Sequence, residues 1–505
     1  MHTIRRRLLW LQEQITGLVE PASGDPEVTG VAYDSRRVQP GDIFVALRGQ
    51  HTDGHRFLRS AADAGAVALV VEAGADSQAS ALPTVRVRDT RRALAEIAAA
   101  FWDWPSRKMK VVGVTGTNGK TTTAMLVADL AEAANMKAAV LGTLGRIVGD
   151  EVLQTEHTTL EAPDLQRSFA EMLAKGIELV AMEVSSHGLV LDRVWQTCFD
   201  VGALTNISQD HLDFHKDMED YARAKGLLFT CYADLAAGCK QMQGVLNWDD
   251  QWAQRLSVEA HCPIVSYAVE RSDATVRAED IEFGPRETTF TLVLPDTRHQ
   301  VRLGLVGRFN VENALAAAAV GVALELPGEA IVRGLSAARQ VPGRLERVEA
   351  GQDFLVLVDY AHTPDALIKV LTEARRLTAG RVLCVFGCGG DRDQGKRPKM
   401  GAAATDLADW TVITSDNPRT ENPEAIISAI LVGAREGRYE TCVDRREAIH
   451  RAIDLAQPGD VVVIAGKGHE DYQLLGDRTI HFDDREEARA AILARRKVRW
   501  EYQHV

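Results

Sequence analysis

The sequence predicts an α/β protein whose parallel sheets are covered by helices, in about three domains. Three observations predict it. Apolar, β-branched runs alternate with Ala/Leu-rich stretches of helical spacing along almost the whole chain. The 505 residues exceed what one hydrophobic core supports. A glycine-rich turn, VTGTNGKTTT (Val114–Thr123), separates an apolar run from a helical one, where open parallel sheets place their ligand loops.

Candidate strands, in chain order, include DIFVAL (42–47), KVVGVT (110–115), IELVAMEV (177–184), FLVLVD (354–359), RVLCVF (381–386), TVITS (411–415) and VVVIAG (461–466). Between them, ALAEIAAAFWDW and TTAMLVADLAEAANM carry helical spacing. WDWPSRKMK (102–110) ends one helical run with Pro105 and a basic cluster, and RQVPGRLERV (339–348) sets Pro342–Gly343 before a new strand series. Both read as domain boundaries. Short alternating stretches between about 265 and 305, such as TTFTLVL, predict a small antiparallel insertion.

Composition narrows the function classes. With 46% apolar and 26% charged residues the chain reads as soluble and globular, and a net charge of -13 argues against a general binder of nucleic acid or acidic membrane. Arginines precede LLWL near the start, but that run is too short for a secretory signal. ALAAAAVGVAL (314–324) falls short of the roughly 20 residues needed to span a bilayer. Seven scattered cysteines suggest no disulfide framework, and a reducing cytoplasm is expected.

The loop carries the strongest chemical signal. Gly116, Asn118 and Gly119 allow tight turns and keep side chains away from a phosphate, while backbone N–H groups at a helix start favour anions. Lys120 supplies a point charge for the β/γ-phosphates and Thr121 a hydroxyl for Mg2+. The strict phosphate-loop pattern would need glycine at 114, where this chain has Val114. Glu183, at the end of an apolar strand, is the candidate carboxylate. His211 and His215, one helical turn apart in DHLDFH, are a candidate metal pair. Without HExxH or a nearby cysteine ligand they read better as polar helix-cap residues than as a zinc site.

GCGGDRD (387–393) lacks the last glycine of a dinucleotide fingerprint, and Cys384 and Cys388 read as core and turn thiols. Arg392, Arg419 (in SDNPRTENP) and Glu470 (in GKGHEDYQ) each follow a candidate strand. If those strands share a sheet, two guanidiniums and a carboxylate converge on one edge, a set suited to a zwitterion.

TGTNGKTTT, EVSSHGL (183–189), TNISQDHLDFH (205–215), GRFNVENALAA (307–317), VDYAHTPDAL (358–367), GCGGDRDQGKRP (387–398), DNPR (416–419) and GKGHEDYQ (466–473), in this order, resemble the Mur ligases. The resemblance covers nearly the whole chain, and the family's loop likewise lacks the first glycine. It implies a UDP-binding domain over 1–104, an ATP-binding domain with a P-loop-type parallel sheet over 105–342, and a Rossmann-like amino-acid-binding domain over 343–505. It further implies that ATP activates the D-Glu side-chain carboxylate of UDP-MurNAc-L-Ala-D-Glu as an acyl phosphate, which an amino group of meso-diaminopimelate then displaces. Mg2+ is the implied cofactor, and a cytoplasmic monomer making a peptidoglycan precursor is the implied setting.

By the same resemblance, Gly116, Thr117, Asn118, Gly119, Lys120, Thr121 and Thr122 bind the ATP phosphates, and Asn313, Arg344 and Asp359 contact ATP. Glu183 and His211 match magnesium ligands, and Lys225 matches a lysine carbamylated in the family, although by itself it reads as a surface lysine on a helix. Tyr33, Ser35, Gln50, His51 and Thr52 match the UDP region; Thr158, Thr159, Ser185 and Arg193 match contacts nearer the diphosphate and sugar. His157 and Leu191 depart from the family pattern, which often has Asn and Gln there. Arg392, Asp416, Asn417, Arg419, Gly466 and Glu470 match the diaminopimelate site. Rival readings are a ligase of the same family that adds L-lysine, which lacks a distal carboxylate for Arg419, and a P-loop nucleotide switch.

Overall fold

The computed structural model describes residues 4–49, 52–75, 81–211 and 214–503. Contacts divide the chain into two compact units, Met1–Arg277 with Leu315–Gly334, and Ala278–Ala314 with Leu335–Val505.

The first unit holds two sheets, each with its own core. The N-terminal sheet orders its strands Leu18–Glu20, Thr84–Val87, Ala68–Glu72, Asp42–Val45, Gly30–Ala32, all parallel except the first. The helix Thr90–Phe101 starts at Asp89, whose carboxylate accepts from the N–H groups of Arg91 and Arg92. It buries Leu94, Ile97 and Phe101 with Val45, Val70 and Val85.

The second sheet of this unit runs Ala138–Gly142, Leu179–Glu183, Lys110–Thr115, Val201–Leu204, Gln243–Asn247, Ile264–Ala268, all parallel, with the antiparallel hairpin Gly145–Val148/Glu151–Leu153 beside the first strand. Val111, Val180, Phe199, Leu204, Phe229 and Tyr232 fill its main core. Val114 sits fully buried inside the strand Lys110–Thr115, paired with Glu183 on one side and Ala203 on the other. At that position a packed side chain serves the sheet, and the turn begins two residues later.

In the second unit the strand order is Glu346–Arg347, Leu355–Asp359, Val461–Ala465, Val382–Phe386, Trp410–Ile413, Tyr439–Thr441, parallel from the second onward. Alternate residues enter opposite cores: Val461, Val463 and Ala465 one, Val462 and Ile464 the other. Burial on both faces explains why these strands read as unbroken apolar runs. Three parallel-dominated sheets with their helices form the α/β fold that the sequence predicts.

Two expectations change. Ile264–Ala268 joins the parallel sheet and pairs in parallel with the start of Val276–Phe283, while the expected antiparallel pairing is seen in the hairpin Thr288–Val293/Arg298–Leu303. Cys198 and Cys239 form a disulfide. They precede the neighbouring strands Val201–Leu204 and Gln243–Asn247, whose register pairs Val201 with Gln243, so both thiols arrive at one edge of the sheet. Cys384 and Cys388 are buried free thiols, raised to about 12 by burial. No helix among the described residues is long and apolar enough to cross a membrane.

Candidate functional site

The glycine-rich turn joins the strand Lys110–Thr115 to the helix Lys120–Ala133. Gly116 (φ 140°) and Gly119 (φ 86°) adopt backbone that other residues avoid; Asn118 does not. A Cβ on Gly116 would lie 1.9 Å from Thr205 Oγ1. Asn206 holds the turn from behind: its carbonyl accepts from Thr117 N–H (2.8 Å) and its Oδ1 from Asn118 N–H (3.1 Å). Those two N–H groups, expected to face an anion, are thus committed within the fold, and the anion-favouring element is the first turn of the helix. Lys120 Nζ folds over the turn and donates to the carbonyls of Gly116 and Thr117, both at 2.9 Å.

Beside the turn, Glu183 is 1% exposed. Its carboxylate accepts from Thr121 Oγ1 (2.9 Å), Thr143 N–H (2.8 Å) and Thr143 Oγ1 (3.2 Å). Thr143 also pairs with Thr158 Oγ1 at 3.2 Å. Thr122 is buried in the helix's first turn.

The expectation of a surface lysine at 225 is wrong. Asp217 caps the helix Met218–Gly226, and its packed face buries Tyr221 and Lys225 one turn apart. Lys225 is 1% exposed, its Nζ donates to the Gly116 carbonyl (2.9 Å) and lies 4.4 Å from the centre of the Tyr221 ring. Burial, and then the neighbouring Lys120 charge, hold its amine well below the ordinary lysine range, with Asp210 opposing. His211 is exposed, 3.5 Å from Asp210, with its ring 5.1 Å from that of His187. His215 is no solvated cap: it is 2% exposed and hydrogen-bonds Ser186 Oγ at 2.9 Å. Among the described residues no group of three or more His, Cys, Asp or Glu is set to hold a metal.

The residues matched to a nucleotide sugar fall around Thr159. Its hydroxyl donates to the Glu183 carbonyl (3.0 Å), pairs with Ser185 Oγ (3.1 Å) and accepts from Ser185 N–H (3.0 Å). The Arg193 guanidinium donates to the Thr159 carbonyl (3.0 Å) and ion-pairs with Glu161 (2.8 Å). In the N-terminal sheet region, Tyr33 Oη donates to Asp164 (2.6 Å), and burial, then that carboxylate, raise its phenol. Ser35 is half-buried and Thr52 exposed; Gln50 and His51 lie outside the described residues. His157 is exposed, and the Leu191 carbonyl accepts from Arg91 at 3.4 Å.

In the second unit, the strands preceding Arg392, Arg419 and Glu470 are immediate neighbours, Val461–Ala465 next to Val382–Phe386 next to Trp410–Ile413. The three groups do follow the same edge. Arg419 (φ 52°) donates from Nη1 to the Gly390 carbonyl (2.8 Å), and a Cβ on Gly389 would lie 3.0 Å from that nitrogen and 3.8 Å from Arg392 Cγ. Arg392 is exposed and reaches the Asp391 carbonyl at 3.2 Å. Asn417 Nδ2 donates to Glu470 Oε2 (2.8 Å), and Asp416 Oδ2 would lie 2.6 Å from a Cβ on Gly466. Burial raises the Glu470 carboxyl; Lys467 opposes and Asp416 adds to the rise.

Elsewhere in this unit Asp359 accepts from the N–H groups of Leu345 and Ala361, each at 2.8 Å, and burial raises its carboxyl against the pull of Arg344. Arg344 lies 5.0 Å from the Tyr360 ring centre, and Asn313 Nδ2 donates to Asn310 Oδ1 at 3.2 Å. Sequence reasoning missed Asn206, Thr143, Asp164 and Lys467. The glycines flanking Lys467, just past an apolar strand, were the available signal for the last.

Three family models match the chain: "Mur ligase family, catalytic domain" over residues 27–102, "Mur ligase middle domain" over 114–321 and "Mur ligase, glutamate ligase domain" over 343–468. The chain is 46% identical to the UDP-N-acetylmuramoyl-L-alanyl-D-glutamate–2,6-diaminopimelate ligase of Gloeobacter violaceus, over 95% of this chain and 97% of that one. It is 44% identical to the ligase of the same name from Bacillus licheniformis, over 93% and 95%. A solved structure of a ligase of that name covers 96% of this chain and 99% of its own, at 35% identity and TM-score 0.70. The folylpolyglutamate synthase of Mycobacterium tuberculosis, solved with ADP and AMPPCP, shares the fold at 19% identity and TM-score 0.62, over 80% of this chain and 94% of that one.

Proposed function

The chain belongs to the Mur ligase family, and from that premise we propose that it joins the D-Glu side-chain carboxylate of UDP-MurNAc-L-Ala-D-Glu to an amino group of meso-diaminopimelate at the expense of ATP. The names of its relatives support the substrates. The observation that carries the amino-acid assignment is the opposed charge set beyond three adjacent parallel strands: Arg392 and Arg419 flank Gly389, with Asp416, Asn417 and Glu470 alongside Gly466. Guanidiniums suit carboxylates and Glu470 an ammonium. Diaminopimelate brings a second carboxylate at its far end, which lysine lacks.

A carboxylate resists attack by an amine. Transfer of the γ-phosphoryl group from ATP to a D-Glu oxygen makes an acyl phosphate. The amine attacks the carbonyl carbon, the tetrahedral intermediate expels phosphate and the nitrogen gives up a proton, leaving amide, ADP and phosphate. Gly116 to Thr122 hold the ATP phosphates in this reading, with Lys120 placed by the turn to neutralise the transferred group. Asn313, Arg344 and Asp359 are assigned further ATP contacts.

Mg2+ fits the donors present. Thr121 and Glu183 already share a hydrogen bond, and few protein oxygens suffice for a cation that keeps waters and substrate phosphates. When bound, it neutralises phosphate charge. Its ligands are assigned to Thr121, Glu183, His211 and Lys225 as a carbamate. Burial gives Lys225 a larger share of neutral amine than an exposed lysine has, which is the form that attacks CO2 and, losing a proton, becomes an anion.

The UDP-sugar substrate is assigned to Tyr33, Ser35, Gln50, His51, Thr52, Thr158, Thr159, Ser185 and Arg193. The domain limits are assigned at 1–104, 105–342 and 343–505. A cytoplasmic monomer completes the reading. The test is phosphate release with ATP and UDP-MurNAc-L-Ala-D-Glu across meso-diaminopimelate, LL-diaminopimelate, lysine and ornithine. Release is expected with meso-diaminopimelate above all; equal turnover with lysine overturns the amino-acid assignment. Hydrolysis indifferent to both co-substrates would make the chain a nucleotide switch.

A further inference from the structure

We infer that Lys467 is a positioning residue that sets the affinity of the amino-acid site: its buried ammonium fixes Asn417 and Glu470 in one orientation and presents Glu470 to the incoming ammonium as an anion. The inference rests on the proposed diaminopimelate site and extends it to a residue that does not itself touch the substrate.

The side chain of Lys467 is 0% exposed, which is costly for a cation unless every N–H finds an acceptor. Its Nζ has three N–H donors and three acceptors: Asn417 Oδ1 (3.2 Å), Glu470 Oε2 (3.2 Å) and the Tyr472 carbonyl. None is left for a ligand, so Lys467 acts through its partners. Asn417 Oδ1 also accepts from Leu474 N–H (3.0 Å), which fixes the amide with its Nδ2 toward Glu470. A flipped amide would set an NH2 against the ammonium. Lys467 and Asn417 both donate to the same oxygen of Glu470, Oε2, leaving Oε1 as the oxygen available to an ammonium.

The charge balance points the same way. The groups acting on Glu470 are Lys467, Asp416, Asn417 and the buried Arg445, with the phenols of Tyr360 and Tyr472. Burial and Asp416 favour the protonated acid, while Lys467, by charge and hydrogen bond, and then the Asn417 hydrogen bond favour the anion. Removing Lys467 therefore raises the Glu470 carboxyl further, and a protonated Glu470 no longer attracts an ammonium. The acid limb of kcat/KM for diaminopimelate must then move to higher pH.

The experiment compares wild type, Lys467→Met, Glu470→Gln and Lys467→Met/Glu470→Gln by phosphate release, varying diaminopimelate and ATP across pH. Met keeps the buried stem and removes the charge. Lys467→Met is expected to raise the diaminopimelate KM about tenfold to a hundredfold, to shift the acid limb upward and to leave the ATP KM within about twofold. The double variant is expected to be no worse than Glu470→Gln alone, because the two residues act as one unit. A wild-type KM and acid limb in Lys467→Met, or losses that multiply in the double variant, overturn the inference. Glu470→Gln gives a second reading that does not need Lys467→Met to fold: it should lose the acid limb, and an unchanged limb also overturns the inference. Failure of the functional assignment looks different, since wild type would then show no diaminopimelate-dependent phosphate release at all.

Discussion

A lysine held at 1% exposure beside a second cation is under pressure to give up its proton, and Lys225 is in that position against Lys120. In the proposed carbamate its amine serves as the nucleophile that an exposed ammonium is not. Lys225→Ala is therefore expected to remove most turnover, and short-chain carboxylates added to the assay should restore part of it; full activity without rescue would exclude the carbamate. Arg419 makes the complementary argument in the second unit. Its guanidinium is anchored to the Gly390 carbonyl, and it is assigned to a carboxylate of the amino acid. Arg419→Ala should raise the diaminopimelate KM by the equivalent of about 1.5–3 kcal/mol, one charge-assisted contact. Initial rates at varied diaminopimelate and at varied ATP, which should be unaffected, check this.

At the scale of elements, the parallel strands do the positioning, and buried charges brace their ends. Arg445, fully buried, pairs with equally buried Asp484 (2.7 Å) and donates to the carbonyls of Ser415 and Ala465, which precede Asp416 and Gly466. Arg445→Met alone leaves Asp484 buried without its partner and should destabilise the unit by about 3–5 kcal/mol. Arg445→Met/Asp484→Leu should recover much of that loss, read as the shift of the unfolding midpoint in denaturant. The disulfide lies at the other kind of strand end. Cys198 and Cys239 precede their strands, whereas the glycine-rich turn proposed to hold the phosphates follows its own. Cys198→Ser is accordingly expected to keep kcat within about twofold, since ligand groups gather at the carboxyl ends of such strands. Thiol titration of the denatured protein should count five free cysteines before reduction and seven after.

For the whole molecule, the proposed chemistry separates activation from amide formation. Acyl phosphate formation needs ATP and the UDP-MurNAc-dipeptide, and only the second step needs the amine. ATP labelled at the β,γ-bridging oxygen should therefore scramble its label into the β-nonbridging positions when the dipeptide is present and diaminopimelate is absent. Scrambling without dipeptide, or none under either condition, would rule out a reversible acyl phosphate. The net charge of -13 gives no long-range attraction for anionic substrates, so in the proposed reading their binding falls to local cations such as Lys120, Arg392 and Arg419.

The sequence by itself determined the strands buried on both faces, because these must be apolar without interruption, as in VVVIAG and RVLCVF, but it left strands such as Val201–Leu204 and Gln243–Asn247 unnamed. It determined the glycine-rich turn as well, because the backbone at 116 and 119 is one that residues other than glycine avoid. It also placed Arg392, Arg419 and Glu470 after strands, though not those strands beside one another. What tertiary structure alone decided was burial and pairing across long separations. Lys225 looks like any helical lysine until packing brings its Nζ against the Gly116 carbonyl, 109 residues away. Lys467 acquires its meaning only when the strand order brings Asn417 within reach, 50 residues away. Cys198 and Cys239 meet because two neighbouring strands start in register. Local pattern specifies which elements form, but the charge state and partners of a buried group depend on the dielectric and neighbours that assembly creates.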